Sequence, residues 1–144
     1  GLEHKALARA EELSETGDHR GALSAFVEAL AAWGPNVARA TPAMLIKDYG
    51  RLRHLLVRLY TEARKLGVVV DISAAQKVAA RAADIYQDRD NLTFISHDLK
   101  PDAALEMSAL VFQLKNAREA ITRQCLAALV RKTPEPRPRA QLVA

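Results

Sequence analysis

The 144-residue chain carries 21 Lys and Arg against 17 Asp and Glu, with 49% hydrophobic residues, 5% aromatics, six glycines and one cysteine. That balance fits one soluble globular domain able to bury a core without disulfides or metals, and it excludes a disordered chain or a disulfide scaffold. The most apolar run, LGVVV at 66–70, falls far short of the roughly 18 residues that span a bilayer.

The N-terminus is charged and amphipathic and lacks the apolar core of a secretory signal. Together with the lone Cys125, it sets the expectation of a cytoplasmic protein. The net charge of +4 is concentrated in residues 41–66, where Lys47, Arg51, Arg53, Arg58, Arg64 and Lys65 face only Asp48 and Glu62. Such asymmetry points to an acidic partner.

In chain order, Ala6, Leu7, Ala10 and Leu13 recur at helical spacing and predict a first helix over 3–16. TGD at 16–18 breaks it, and Asp18 is suited to cap a second helix over about 19–33 with Ala22, Leu23, Phe26, Ala29 and Leu30 inside. Thr41 followed by Pro42 starts a third helix that runs to Lys65 or Leu66, with Gly67 as its stop. Its Leu45, Tyr49, Leu52, Leu56, Leu59, Ala63 and Leu66 step by 4 and 3, the spacing of a helix packed along its length.

VVVDIS at 68–73 has strand-like composition without a second strand to pair with, so an extended connector is expected. Asp71 or Ser73 can cap a fourth helix over 74–88, with Ala75, Val78, Ala82 and Ile85 inward. A connector over 89–100 leads to a fifth helix from Pro101 to about Lys132, with Leu105, Met107, Leu110, Leu114, Ala117, Ile121, Cys125 and Leu129 available for burial and the third helix as its expected partner. The Pro-rich residues 133–144 are expected to be a disordered tail.

Within 3–36, Gly17, Asp18, Ala22, Leu23, Phe26, Ala29 and Leu30 resemble the turn and second helix of a tetratricopeptide repeat, with Pro35 and Asn36 following one residue late. The first helix departs from that pattern, having Arg9 and Ala10 where an aromatic and a glycine are usual. The stretch is similar to the microtubule-interacting-and-trafficking helical domain as well. The resemblance implies recognition of protein or peptide on a helical groove, without catalysis.

IKDYGRLRHLLVRLY, residues 46–60, sets Lys47, Arg51, His54 and Arg58 at spacings of 4, 3 and 4. At 100° per residue these and Lys65 fall within roughly 60° of arc, opposite the heptad positions. The expectation is an exposed basic stripe able to follow phosphates or an acidic partner. Few aromatics accompany it, which argues against base stacking.

Catalytic and metal-binding patterns find little support. His4, His19, His54 and His97 have no ligand spacing, and adjacency of Ser96, His97 and Asp98 is not the geometry of a triad. Glu11 and Glu12 read as solvation, Cys125 as a small buried residue, and no glycine-rich phosphate loop is present.

The expectation is an all-α protein of about five helices, an N-terminal helical hairpin packed on a bundle with two long antiparallel helices. It forms one domain over 1–132 and needs no cofactor. Its expected role is a noncatalytic protein–protein interaction module, an adaptor or assembly subunit. Heptad regularity is compatible with a homo-oligomer. The alternative is an accessory subunit of a nucleoprotein complex that holds the nucleic-acid backbone through 41–66.

Overall fold

The computed structural model describes residues 1–37 and 40–131. Five α-helices fill most of it: α1 (Leu2–Glu15), α2 (His19–Ala32), α3 (Pro42–Lys65), α4 (Ser73–Gln87) and α5 (Pro101–Val130), with a single 3-10 turn at Arg89–Asn91. The tail expected over 133–144 lies outside the described residues.

The helix boundaries follow local chemistry. The Asp18 carboxylate accepts the Gly21 N–H at 2.9 Å, and a Cβ at Gly21 would collide with that carboxylate. Gly17 (φ +86°) and Gly67 (φ +81°) take the left-handed conformation that ends α1 and α3. Thr41 Oγ1 accepts the Met44 N–H at 3.2 Å, with Pro42 in the first turn. At α4 neither expected residue is the cap: Ile72 holds that position without a side-chain bond, and Asp71 just before it accepts the N–H and the Oγ–H of Ser73, the first helical residue.

Each link reverses the chain. His19 meets Glu62 and Trp33 meets Asp48, so α2 and α3 are antiparallel. Asp71 meets Gln124 and Arg81 meets Glu106, so α4 and α5 are antiparallel too. Helices α2, α3, α4 and α5 form a ring in which each lies beside the next and α2 lies beside α5, while α1 packs on α2.

This arrangement corrects two expectations about the long helices. The closest neighbours of α5 are α4 and α2 and not α3. Nor are α3 and α5 antiparallel: Pro42 and Leu45 near the start of α3 line one cavity with Leu99 and Ala104 at the start of α5. With two reversals between them, the first and third of three successive helices point the same way.

One contiguous core runs through all five helices. Phe26, Leu23 and Leu30 of α2 meet Leu52, Leu55, Leu56 and Leu59 of α3, with Ile85, Ile121 and Cys125 completing the interior. The expected heptad residues of α3 from Leu45 to Ala63 are buried and Leu66 half-buried. Leu55 and Glu62 join them because α3 has neighbours on more than one side. Residues 68–72 form the connector expected over 68–73, anchored by buried Val70, and Ser73 already belongs to α4. Leu105, expected inside, is 74% exposed, for its position turns away from both α4 and α2.

Where α2 ends, its last carbonyls are met from α5. Arg118 donates to the carbonyls of Leu30 and, at 3.0 Å, of Trp33, and its guanidinium lies 5.4 Å from the Trp33 ring centre. Trp33 is buried and packs at 5.5 Å against Tyr49.

Candidate functional site

The basic stripe is divided between internal pairing and open surface. Arg51 pairs with Glu3 of α1 and, at 3.0 Å, with Asp48. Arg58 holds Glu11 of α1 through two bonds, Nε to Oε2 at 3.1 Å and Nη2 to Oε1 at 2.5 Å, and lies 5.1 Å from the Phe26 ring centre. Lys65 Nζ sits 3.3 Å from Glu62 Oε2. Only Lys47 and His54 of the five are exposed with no polar partner among the described residues.

The expectation of an exposed stripe is therefore corrected for Arg51 and Arg58. Both are half-buried beside α1, whose acids neutralise them. Glu11, read as a solvating acid, is a structural partner: its bonds from Arg58 hold it below the usual carboxylate value, and they push the Arg58 guanidinium higher. To engage phosphates, Arg51 and Arg58 would have to release Glu3 and Glu11.

Glu62 is the residue that sequence reasoning missed. It is fully buried, yet it gathers polar groups from three helices. His19 Nδ1 donates to Oε1 at 2.8 Å, Ser14 Oγ donates to Oε2 at 2.9 Å, and Lys65 donates to Oε2. Arg58 Nη1 stands 3.6 Å from the same oxygen. Burial acts to raise this carboxyl, but the bonds from His19, Ser14 and Lys65 outweigh it and hold Glu62 below its ordinary value. These bonds join α1 and α2 to α3 through a single buried carboxylate.

A second feature lies at the α4–α5 junction. Residues 92–99 form a tight hairpin closed by a Leu92–Leu99 bridge, with Thr93 N donating to Asp98 O at 2.7 Å and His97 N to Thr93 O at 3.1 Å. The Thr93 and Ser96 hydroxyls meet at 2.7 Å inside the turn, and His97 adopts φ +60°. A left-handed residue other than glycine stores strain and is worth reading for function. At the tip, Phe94 is 94% and Ile95 88% exposed.

The hairpin flanks a groove of about 710 Å³ lined in part by Thr41, Pro42, Leu92, His97 and Lys100. Ser96, His97 and Asp98 all serve this turn: the Ser96 hydroxyl meets that of Thr93, His97 N–H donates to the Thr93 carbonyl, and Asp98 N–H donates to Thr93 Oγ1. Among the described residues, no group of three or more His, Cys, Asp and Glu could hold a metal ion.

Cys125 is buried in α5, and burial pushes its thiol up to about 12. A thiol reagent at neutral pH is expected to label the native protein far more slowly than the urea-unfolded protein, because the thiolate is scarce and inaccessible. Fast native labelling, followed by absorbance, would contradict this placement.

No helix among the described residues is long and apolar enough to cross a membrane. Comparison with protein-family models, curated proteins and solved structures finds no match for the chain.

Proposed function

We propose that this chain is a noncatalytic helical interaction module, an adaptor or assembly subunit that engages a protein partner through the bundle end bearing the 92–99 hairpin. The observation that carries the reading is the pair Phe94 and Ile95, both almost fully in solvent. Burying a side chain of this kind contributes roughly 1.5–3 kcal/mol, a gain the isolated fold forgoes at both positions. A flexible loop could fold such groups away. Here backbone bonds and the Thr93–Ser96 pair hold the turn in shape, so little ordering remains to be done on binding.

The surroundings suggest the chemistry of the partner. Arg89 and Lys100 line the groove that Phe94 flanks, favouring an apolar pocket with an acidic rim. The decisive test compares the native chain with Phe94→Ser plus Ile95→Ser in recovering a discrete partner from its own cell extract, then in titration with that partner. Loss of two apolar anchors is expected to weaken binding on the order of 100-fold while the thermal midpoint stays unchanged. Equal binding by both proteins would refute a hairpin-centred interface.

A further inference from the structure

The solvent side of α5 carries a second heptad pattern that the single-chain core leaves unused. Leu105, Ala109, Phe112, Asn116, Glu119, Arg123, Leu126 and Val130 step by 4 and 3 throughout, and all are exposed. Leu105 is 74%, Phe112 66% and Val130 82% exposed. At 100° per residue the eight fall within about 100° of arc, centred opposite buried Leu114 and Ile121. A helix whose outer face keeps this spacing from Leu105 to Val130, over most of its 30 residues, has the pattern of a coiled-coil strand lacking its partner.

The order of residue types identifies the occupant. We infer that α5 pairs antiparallel with α5 of a second copy of this chain, about a two-fold axis between Ala117 and Arg118. In that register Leu105 faces Val130 and Ala109 faces Leu126, so both ends of the seam are apolar. Phe112 faces Arg123, an aromatic ring beneath a guanidinium. Asn116 faces Glu119, an amide donor opposite a carboxylate. Every pairing occurs twice, as an isologous contact requires.

Competing alignments place like charges together or leave part of the face uncovered: an antiparallel pair shifted by one heptad sets Glu119 against Arg123 but strands Leu105 and Ala109. A parallel pair sets Glu119 against Glu119 and Arg123 against Arg123. Shifting the antiparallel register so that Phe112 meets Leu126 again brings the two Glu119 carboxylates face to face. Only the full overlap combines charge compatibility with use of the whole face, a seam of roughly 38 Å at 1.5 Å per residue. This surface is distinct from the hairpin, so the two proposals can fail separately.

Sedimentation equilibrium of the full chain over micromolar to millimolar concentrations tests the pairing. The expected result is a species of twice the 15.8 kDa chain mass that dissociates on dilution. Leu105→Asp plus Phe112→Asp, both at exposed positions, should give a monomer with unchanged circular dichroism. A native chain that stays monomeric throughout, or a double variant that still dimerises, overturns the inference.

Crosslinking tests the register without depending on that variant. Under mild oxidation, Leu105→Cys mixed with Val130→Cys should form a disulfide-linked heterodimer, while neither alone should crosslink. Self-crosslinking of Leu105→Cys, or no mixed product, overturns the antiparallel arrangement.

Discussion

Glu62→Ala is expected to lower the stability of the protein by about 2–4 kcal/mol, read from urea unfolding at neutral pH. Removing one member of a buried ion pair typically costs roughly 3–5 kcal/mol, because the remaining charge stays desolvated. Here Arg58, His19 and Lys65 keep 21%, 30% and 44% of their side-chain surface and can partly rehydrate, which reduces the cost. The substitution also frees Ser14, which then lacks its acceptor on α3. A loss below about 1 kcal/mol would mean that the cluster does not fasten the helices.

The same residue sets an acid limb. Because the folded carboxyls of Glu62 and Glu11 lie below their ordinary value of 4.5, folding favours the ionised form. Their contribution is therefore fully present above that value and is lost as pH falls through the folded values, where native and unfolded chains become protonated alike. Stability of the native chain should decline on acidification. Glu62→Gln, which cannot titrate, should show a lower neutral plateau and a shallower decline.

Helix positions were legible because each boundary carries local chemistry. Gly17 with Asp18, Thr41 with Pro42, Gly67 and Pro101 act within a few residues of themselves, and all stand at or next to helix ends. Burial along α3 was legible for a related reason, since periodicity reports which face turns inward. What periodicity does not report is how many faces are covered. Arg51 and Arg58 lie opposite the heptad seam and read as exposed, but their partners Glu3 and Glu11 lie 48 and 47 residues away on α1.

Glu62 was illegible for the same reason. Its burial depends on His19 and Ser14, 43 and 48 residues distant, and a glutamate beside a basic stripe looks like surface charge. The hairpin had no glycine to announce it. Its turn is closed by Thr93 and Ser96 hydroxyls and by His97 in a conformation its residue type seldom adopts. The orientation of α5 relative to α3 followed from the number of reversals between them, which the intervening α4 made countable once its contacts were known.

Arg118→Ala is expected to be the second most damaging change, lowering stability by about 2–4 kcal/mol through loss of charged hydrogen bonds to helix-end carbonyls. Desolvation against α2 acts to lower the Arg118 pKa, so its place in the fold costs something that the Leu30 and Trp33 carbonyls and the Trp33 ring offset. Those carbonyls lie at the negative end of the α2 dipole, where a cation is favoured.

Arg118→Lys separates charge from shape. A lysine keeps the positive end but not the planar fork that reaches two carbonyls and stacks on the indole, so it should recover less than half of the loss. Trp33 is the single tryptophan of the chain, and its emission reports the site directly. A red shift in Arg118→Ala at temperatures where the helices persist would mark local opening at the end of α2. Unchanged emission together with unchanged stability would place the anchoring of α2 on α5 in the apolar contacts instead.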